Sequence, residues 1–278
     1  MTYRIYTAEG CVRCRVTKRF MQGRGLDFEE IDIRGEGKEH FARFYRENRG
    51  AVYRGEDGVE FPVLTDGGRI RQGLGGVIGY LVGGDALDGF IGRSGLHGEW
   101  VDGFDVSGGD PGRADALLEV LHFLKQNAFR IQAAASGRNA AVMEQILDRQ
   151  LADRMVMEVK GPCALYGALS GAEIAADELT RSIALAARFP EYRFFTTVAP
   201  VERQDGTLDY LSAEEIGETA RMIAEATGAK KHPYELRSFD PLAAPEGPLR
   251  GLAPLPPEAM FKRRTAARQY MVLADIRK

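Results

Sequence analysis

The sequence has few of the residues on which stapled or metal-rich folds depend, with three cysteines and four histidines among 278 residues. So few cysteines exclude a disulfide-stapled secreted fold and favour a reducing compartment, in which thiols take part in chemistry. No apolar run approaches the roughly 18 residues of a membrane span, and the first residues lack the pattern of a signal peptide. We therefore expect a cytoplasmic protein that does not associate with membranes.

An excess of charge of one sign is also lacking. The chain has 37 Lys and Arg against 40 Asp and Glu, a formal net charge of −3, and its basic residues are dispersed. This distribution gives no electrostatic footprint for nucleic acid. The apolar and charged fractions are those of a globular protein, and the length allows roughly two domains.

Two of the three cysteines stand in the tetrapeptide Cys-Val-Arg-Cys at positions 11–14. A short apolar run precedes it and an amphipathic run follows it, which predicts a strand, a tight turn and a helix. The helix N-terminus and the neighbouring cations Arg13 and Arg15 favour a thiolate, so we predict that Cys11 is the nucleophile. Cys14 lies on the same helix face and is predicted to be the resolving thiol. The alternatives are half of a zinc knuckle or two inert cysteines, but no second Cys/His pair at ligand spacing is nearby.

The first 84 residues predict the order βαβαββα. The predicted strands lie at 3–7, 27–33, 61–64 and 69–71, and the predicted helices at 12–22, 38–48 and 75–82. The glycines of 73–79 do not complete a dinucleotide-binding fingerprint, because Ile78 stands at its third glycine. We interpret this run as a turn that lets a helix start close to the sheet.

Four features of this segment together resemble glutaredoxins and glutaredoxin-like redoxins: the Cys-x-x-Cys motif, Pro62 at the start of the third strand, the Asp-Gly-Gly turn at 66–68 and the glycines at 73–76. The resemblance implies a thioredoxin fold in which Pro62 is cis, lies beside the thiols and takes part in the site. An ordinary edge-strand proline is the alternative. The Val-Arg pair between the cysteines looks closer to redoxins that serve ribonucleotide reductases than to glutathione-dependent enzymes. The implied partners are a disulfide-bearing protein and either a thiol reductase or glutathione, and residues 53–60 are expected to form a partner-binding loop.

Residues 85–99 predict a linker or a lone strand, and from residue 100 strands alternate with longer helices. The predicted strands lie at 101–106, 129–135, 154–159, 192–198, 234–239 and 270–276, and the predicted helices at 113–126, 139–150, 172–188, 212–227 and 258–269. Alternating βα units imply a parallel sheet, and six strands are too few for a closed eight-fold barrel. We therefore predict a second domain at 100–278 that forms a partial (β/α) barrel.

Four strand ends of this region resemble the radical S-adenosylmethionine (SAM) activating enzymes of anaerobic ribonucleotide reductase and pyruvate formate-lyase. These ends lie at 107–111, 136–139, 158–162 and 196–200. The resemblance implies a SAM or ligand site at Gly108, Gly109, Asp110 and Lys160. The family's Cys-x-x-x-Cys-x-x-Cys cluster motif is missing from this sequence, so the resemblance implies a degenerate domain without independent radical chemistry.

The third cysteine, Cys163, follows the third strand of this region. It is either a buried structural cysteine or a relay thiol for the first domain. A weaker alternative has Cys11, Cys14 and Cys163 hold an iron–sulfur cluster together. Among the histidines, His97 is expected in a solvated loop and His122 in the core.

The sequence thus predicts a cytoplasmic dithiol redoxin fused to an activase-like domain that docks a partner. That partner would be a glycyl-radical enzyme such as anaerobic ribonucleotide reductase. No cofactor is required, with SAM or a cluster as options. One alternative is an activating protein that binds SAM or an iron–sulfur cluster through non-standard ligands. Another is a scaffold whose thiols sense redox state.

Overall fold

The computed structural model describes residues 2–56, 58–244 and 246–277. The chain forms two compact units, at 1–132 and 133–278. The first unit contains the Cys-x-x-Cys motif and extends well beyond residue 84. The domain scheme of 1–84, a linker at 85–99 and 100–278 stays a prediction.

The first unit is built on a four-stranded mixed sheet. Its elements are β1 (Tyr3–Thr7), α1 (Val12–Gly23), β2 (Phe28–Asp32), α2 (Gly37–Glu47), β3 (Arg54–Gly55), β4 (Gly58–Val59), β5 (Val63–Thr65), β6 (Ile70–Gln72), α3 (Gly73–Gly83), β7 (Trp100–Asp105) and α4 (Ala114–Gln126), followed by β8 (Arg130–Ala135). The sheet has the order β2-β1-β5-β6. The β1–β2 pair is parallel, while β1–β5 and β5–β6 are antiparallel.

The alternation of β1 explains how this sheet is covered on both faces. Ile5 belongs to an apolar cluster with Met21 of α1 and Val77 of α3. Its neighbour Tyr6 points the other way, into a cluster with Val52 that includes the aromatic side chains of α2. Successive strand residues alternate between faces, so one short apolar strand supplies both cores.

The predicted order βαβαββα is recovered with one addition. The polar stretch before β5 contains a short antiparallel hairpin, β3–β4, which the sequence prediction treated as a loop. Residue 57, within the predicted partner-binding loop at 53–60, lies outside the described residues. The glycine run at 73–76 is also different from the prediction, because it forms the first turn of α3 rather than a turn before it.

The segment at 85–99 packs against β7 and is not a solvent-exposed linker. Ile91 forms an antiparallel bridge with Phe104, and the amide of Gly92 donates to the carbonyl of Gly103 at 2.7 Å. Leu87 and Phe90 of this segment are fully buried. Close approach of this layer explains two glycines of α3: a Cβ on Gly75 would lie 2.9 Å from the Phe104 ring, and one on Gly79 would overlap the Ile91 side chain.

The remaining elements complete a six-stranded sheet. They are α5 (Ala140–Asp148), β9 (Arg154–Glu158), α6 (Tyr166–Ser170), α7 (Ala176–Ala186), β10 (Glu191–Val198), β11 (Pro200–Glu202), β12 (Leu208–Tyr210), α8 (Ala213–Thr227), β13 (Tyr234–Ser238), α9 (Pro257–Arg268) and β14 (Ala274–Arg277). The sheet has the order β14-β13-β10-β9-β8-β7. The pairs β9–β10, β10–β13 and β13–β14 are parallel.

All six strands predicted after residue 100 are present, whereas α6 and the hairpin β11–β12 were not predicted. The helix predicted from residue 172 begins only at Ala176, and the strand predicted from residue 270 begins at Ala274. Helix α8 begins where its sequence indicates, because Ser212 and Glu215 form a capping box. Within the described part of the chain, no helix has both the length and the apolar character needed to cross a bilayer.

Candidate active site

Cys11 and Cys14 lie at the start of α1, as the spacing predicts. Cys11 is the N-cap residue, and its Sγ accepts a hydrogen bond from the backbone N–H of Cys14 at 3.1 Å. The two Sγ atoms lie at disulfide-bonding distance, and the Cα atoms are 5.3 Å apart. Cys11 is half-buried and Cys14 only 2% exposed. The pair therefore presents one accessible sulfur with the second sulfur behind it.

The position of Cys11 favours its anionic form. An N-cap side chain faces the unpaired N–H groups of the first helical turn, where the helix dipole stabilises negative charge. The hydrogen bond from Cys14 to Sγ is one such contact, and it strengthens when sulfur carries charge. A thiol at such a site ionises more readily than a free cysteine.

Pro62 lies beside the strand that leads to the cysteines. The Phe61–Pro62 peptide is cis, as the resemblance to redoxins implied. Val63 pairs with Tyr6 in the antiparallel β1–β5 ladder, so Pro62 is level with Thr7 at the end of β1. Its carbonyl accepts a hydrogen bond from the amide of Gly73 at 2.9 Å. A catalytic role for Pro62 stays a prediction.

Arg13 is a buried residue of the motif and is paired with a carboxylate. Its side chain is only 10% exposed and forms an ion pair with Glu60. The guanidinium also donates to the carbonyl of Leu96 at 2.9 Å and to the carbonyl of Trp100. The expectation that Arg13 acts as a simple cationic neighbour of Cys11 is therefore corrected, since a carboxylate compensates its charge.

Glu60 is held tightly in this position. Its side chain is 15% exposed, and a Cβ on Gly73 would lie 2.8 Å from its Oε2. Burial raises the pKa of Glu60, and the nearby Arg13 offsets part of that rise. The absence of a side chain at Gly73 leaves room for the carboxylate at the start of α3.

Two depressions flank the cysteines within the first unit. One, of about 270 Å³, is polar and includes Cys11 and Cys14 together with Arg15 and Lys18. Arg15 is exposed there, while Lys18 pairs with Glu30 at 2.7 Å. Arg15 is thus the exposed cation in the depression next to the thiols.

The other depression, of about 480 Å³, is mainly apolar and brings Cys11 together with residues distant in sequence. Its lining combines Cys11, Val12 and Arg13 with 98–99 and 127–129. Val12 is 50% exposed. Sequence reasoning missed this surface, because no local pattern links the tetrapeptide to the end of α4.

The predicted ligand glycines after β7 are packed against the chain itself. A Cβ on Gly108 would collide with the carbonyl of Gly89, and one on Gly109 would overlap the Phe90 ring. The Asp110 carboxylate accepts a hydrogen bond from the amide of Gly112 at 2.9 Å. Each of these residues therefore has a structural role, and their role in binding SAM stays a prediction.

In the second unit, Lys160 belongs to a polar group at the ends of β9 and β10. Its Nζ contacts the Glu158 carboxylate at 2.7 Å, and the same carboxylate accepts from the Thr197 hydroxyl at 2.8 Å. The Tyr166 hydroxyl donates to the carbonyls of Ser136 at 3.1 Å and Glu158 at 3.2 Å. Burial raises the pKa of Tyr166 far above its ordinary value. Tyr166 therefore remains a neutral link between two strand ends.

One alternative and one prediction about single residues are wrong. Cys163 is exposed, which rules out the alternative of a buried structural cysteine. His122 is also exposed on α4 and contacts Gln126, so it is not a core histidine. His97 is exposed and lies in a loop, as predicted. Over the residues described, no three His, Cys, Asp or Glu side chains are grouped to hold a metal ion, and a cluster on the three cysteines stays a prediction.

No protein-family model matches this chain. The chain is 52% identical over 33 residues to the glutaredoxin-like protein NrdH of Escherichia coli strain K12 and to that of Shigella flexneri. This stretch is 12% of the chain and 41% of each relative, so the chain spans less than half the length of the curated relatives it matches. The likeness is to a glutaredoxin-like protein, over a short stretch.

Among solved structures, the chain is similar to a domain of a pyruvate-formate lyase-activating enzyme from Bacteroides vulgatus. That comparison has a TM-score of 0.42 at 13% identity and covers 63% of this chain and 98% of the other. The HMG-CoA lyase from Brucella melitensis gives a TM-score of 0.39 at 13% identity, covering 67% of this chain and 65% of the other. Scores this low carry no functional argument.

Proposed function

We propose that the protein is a thiol–disulfide oxidoreductase of the glutaredoxin-like type, in which Cys11 is the nucleophile and Cys14 the resolving thiol. The observation that carries this proposal is the Cys11–Cys14 pair at the N-terminus of α1, with one sulfur accessible and the other buried. The sheet order of the first unit and the cis peptide at Pro62 support a thioredoxin fold. The match to NrdH supports the same class.

The reaction proceeds in two exchanges. The Cys11 thiolate attacks one sulfur of a partner disulfide, the partner S–S bond breaks, and its second sulfur leaves as a thiolate that takes up a proton. The Cys14 thiolate then attacks the Cys11 sulfur of the mixed disulfide, releases the partner's first sulfur and forms the Cys11–Cys14 disulfide. Two electrons pass to the partner, and a thiol reductase or glutathione restores the dithiol.

Cysteine variants and a protein disulfide such as insulin test this proposal directly. We expect Cys11→Ser to abolish disulfide reduction and Cys14→Ser to accumulate a mixed disulfide through Cys11. Cys163→Ser is the matched control and should retain the wild-type rate. Full activity in Cys11→Ser, or loss of activity only in Cys163→Ser, would contradict the assignment. Coupling the assay separately to thioredoxin reductase and to glutathione reductase identifies the recycling system.

For residues 100–278 we propose a degenerate activase-like partial barrel that docks a partner, such as an anaerobic ribonucleotide reductase. The support is the set of four strand-end sequences and the missing cluster motif, together with the six-stranded sheet. Anaerobic purification with iron and sulfide analysis, followed by titration with SAM, tests it. Stoichiometric iron would overturn the proposal and favour the alternative, in which non-standard ligands hold a cluster. Binding to a purified glycyl-radical enzyme tests the partner.

A further inference from the structure

The Arg13–Glu60 ion pair is a buried charge pair, one of whose side chains belongs to the redox motif itself. Arg13 lies between the two cysteines, and Glu60 lies directly before the Phe61–Pro62 peptide. The pair therefore joins the two segments that form the proposed site. Its side chains are 10% and 15% exposed, so water screens their charges far less than those of surface residues.

We propose that Glu60 is a positioning residue for the Cys11 thiol, which it influences by neutralising Arg13 and holding the guanidinium in the interior. This proposal rests on the proposed dithiol function. Glu60 acts as one half of a charge-compensated pair, in which each side chain cancels the field of the other at the thiol. Its effect is to leave the helix N-terminus and Arg15 as the groups that stabilise the Cys11 thiolate.

Several contacts fix the pair in this arrangement. The carbonyls of Leu96 and Trp100 hold the other edge of the guanidinium. Leu96 is itself fixed, because its amide donates to the Asp102 carboxylate at 3.0 Å. Gly73 leaves space for the Glu60 carboxylate. Glu60 thus neutralises the charge of the Arg13 guanidinium, and the two carbonyls fix its position.

Other charged groups face the motif, and their effects must be separated from that of the pair. The polar depression next to the thiols contains Glu9, Arg15, Lys18, Glu30 and Asp32. Glu99 lines the apolar depression, and His97 and Asp102 act electrostatically on Glu60 itself. Lys18 and Glu30 pair with each other, and Glu9 pairs with Arg34. None of these is altered when Glu60 is replaced.

The consequence for thiol ionisation has a definite sign. With Glu60 replaced by glutamine, Arg13 carries an uncompensated positive charge, whether it stays in place or swings towards the thiols. An added positive potential favours the thiolate, so the pKa of Cys11 falls. At an effective dielectric constant of about 20, a unit charge within one or two helical turns shifts a pKa by on the order of one unit.

The test measures the pH profile of Cys11 alkylation by iodoacetamide in the full-length chain, with Cys14 and Cys163 replaced by serine. Glu60→Gln should lower the pKa of Cys11 by about one unit. Glu56→Gln is the matched control, since Glu56 is exposed on the same hairpin segment and loses the same charge. The double variant Arg13→Gln/Glu60→Gln should restore the wild-type profile, because the charges are removed together.

The result that overturns the proposal is an equal pKa in Glu60→Gln and Glu56→Gln, or a shift that persists when Arg13 is also glutamine. If Glu60→Gln does not fold, Arg13→Gln is compared with the double variant. Arg13→Gln should raise the pKa of Cys11 through the unpaired carboxylate, and equal values in the two variants would overturn the proposal. Alkylation needs no turnover, so a failure here is distinguishable from a failure of the reductase assay.

Discussion

Replacement of Arg13 by methionine should loosen the segment at 94–100 without unfolding the first unit. The guanidinium donates to the carbonyls of Leu96 and Trp100, which lie 83 and 87 residues away in sequence. Methionine keeps much of the aliphatic volume but removes both donors. The hydrogen bonds within the segment, from Gly95 and Leu96 to Asp102, are untouched by the substitution.

The magnitude follows from the number and kind of bonds lost. A hydrogen bond to a charged group contributes about 1.5–3 kcal/mol, so two bonds at the lower end contribute about 3 kcal/mol. Each 1.4 kcal/mol is a tenfold change in an equilibrium constant, so local opening of the segment should become roughly 100-fold more frequent. Loss of the ion pair adds to this cost, because it leaves the Glu60 carboxylate without its counter-charge, so a roughly 100-fold increase is the minimum expected.

Native-state hydrogen exchange measures this directly, with the amides of Gly95, Leu96 and Trp100 as reporters. Each of these amides donates a hydrogen bond in the native protein. Arg15→Met is the control, because Arg15 is exposed on the same helix. Unchanged exchange in Arg13→Met, or an equal acceleration in Arg15→Met, would refute the view that Arg13 holds this segment.

Three further outcomes are expected from thermal unfolding measurements. Burial lowers the pKa of His232 in the folded state below its ordinary value of 6.5. The stability that neutral His232 contributes is therefore present above pH 6.5 and is lost as the pH falls through the lower folded pKa. His232→Gln should reduce this loss of stability at low pH, and an unchanged pH dependence would contradict the prediction. Gly109→Ala should destabilise the protein by roughly 1–3 kcal/mol, because the added Cβ would overlap the Phe90 ring. Gly76→Ala has open space at its Cβ and should stabilise the protein by up to about 1 kcal/mol. Similar effects of the two substitutions would be evidence against the packing argument. Tyr166→Phe should cost about 1–3 kcal/mol, because it removes the hydrogen bonds of the hydroxyl to two strand-end carbonyls, and a neutral result would contradict this.

The parts of the fold that sequence could predict are those set by local patterns. The strand Tyr3–Thr7 was predicted with the bounds that the structure has, because a short apolar run ends at a turn. The start of α1 follows from the position of Cys11 as a helix cap. The cis peptide before Pro62 followed from the resemblance to redoxins rather than from any propensity.

The environment of Arg13 could not be predicted, because its partners are remote. Glu60 lies 47 residues away, and no periodicity connects the two. A cation next to a reactive thiol is the simplest expectation from the tetrapeptide alone. Tertiary structure reverses it by supplying a buried carboxylate, and only the three-dimensional arrangement reveals that compensation.

The segment at 85–99 shows a similar limit. Its glycines and aspartates are typical of a linker, yet Phe90 is fully buried. Gly108 and Gly109 are glycines for the same reason, since they admit this segment at close range. A glycine pair that admits a ligand and one that admits the chain's own backbone look identical in sequence.

The parallel pairs of the second unit have a consequence for synthesis on the ribosome. Strand β10 pairs with β9, β13 with β10, and β14 with β13, so each strand joins an edge formed by the strand before it in the sheet. The first unit differs, because β1 lies between β2 and β5 and cannot complete its pairing until β5 has emerged. Contacts close in sequence form soonest, so the second unit can grow strand by strand during translation. The redox motif lies on the helix after β1, so the strand beside it is fully paired only after β5 has been synthesised.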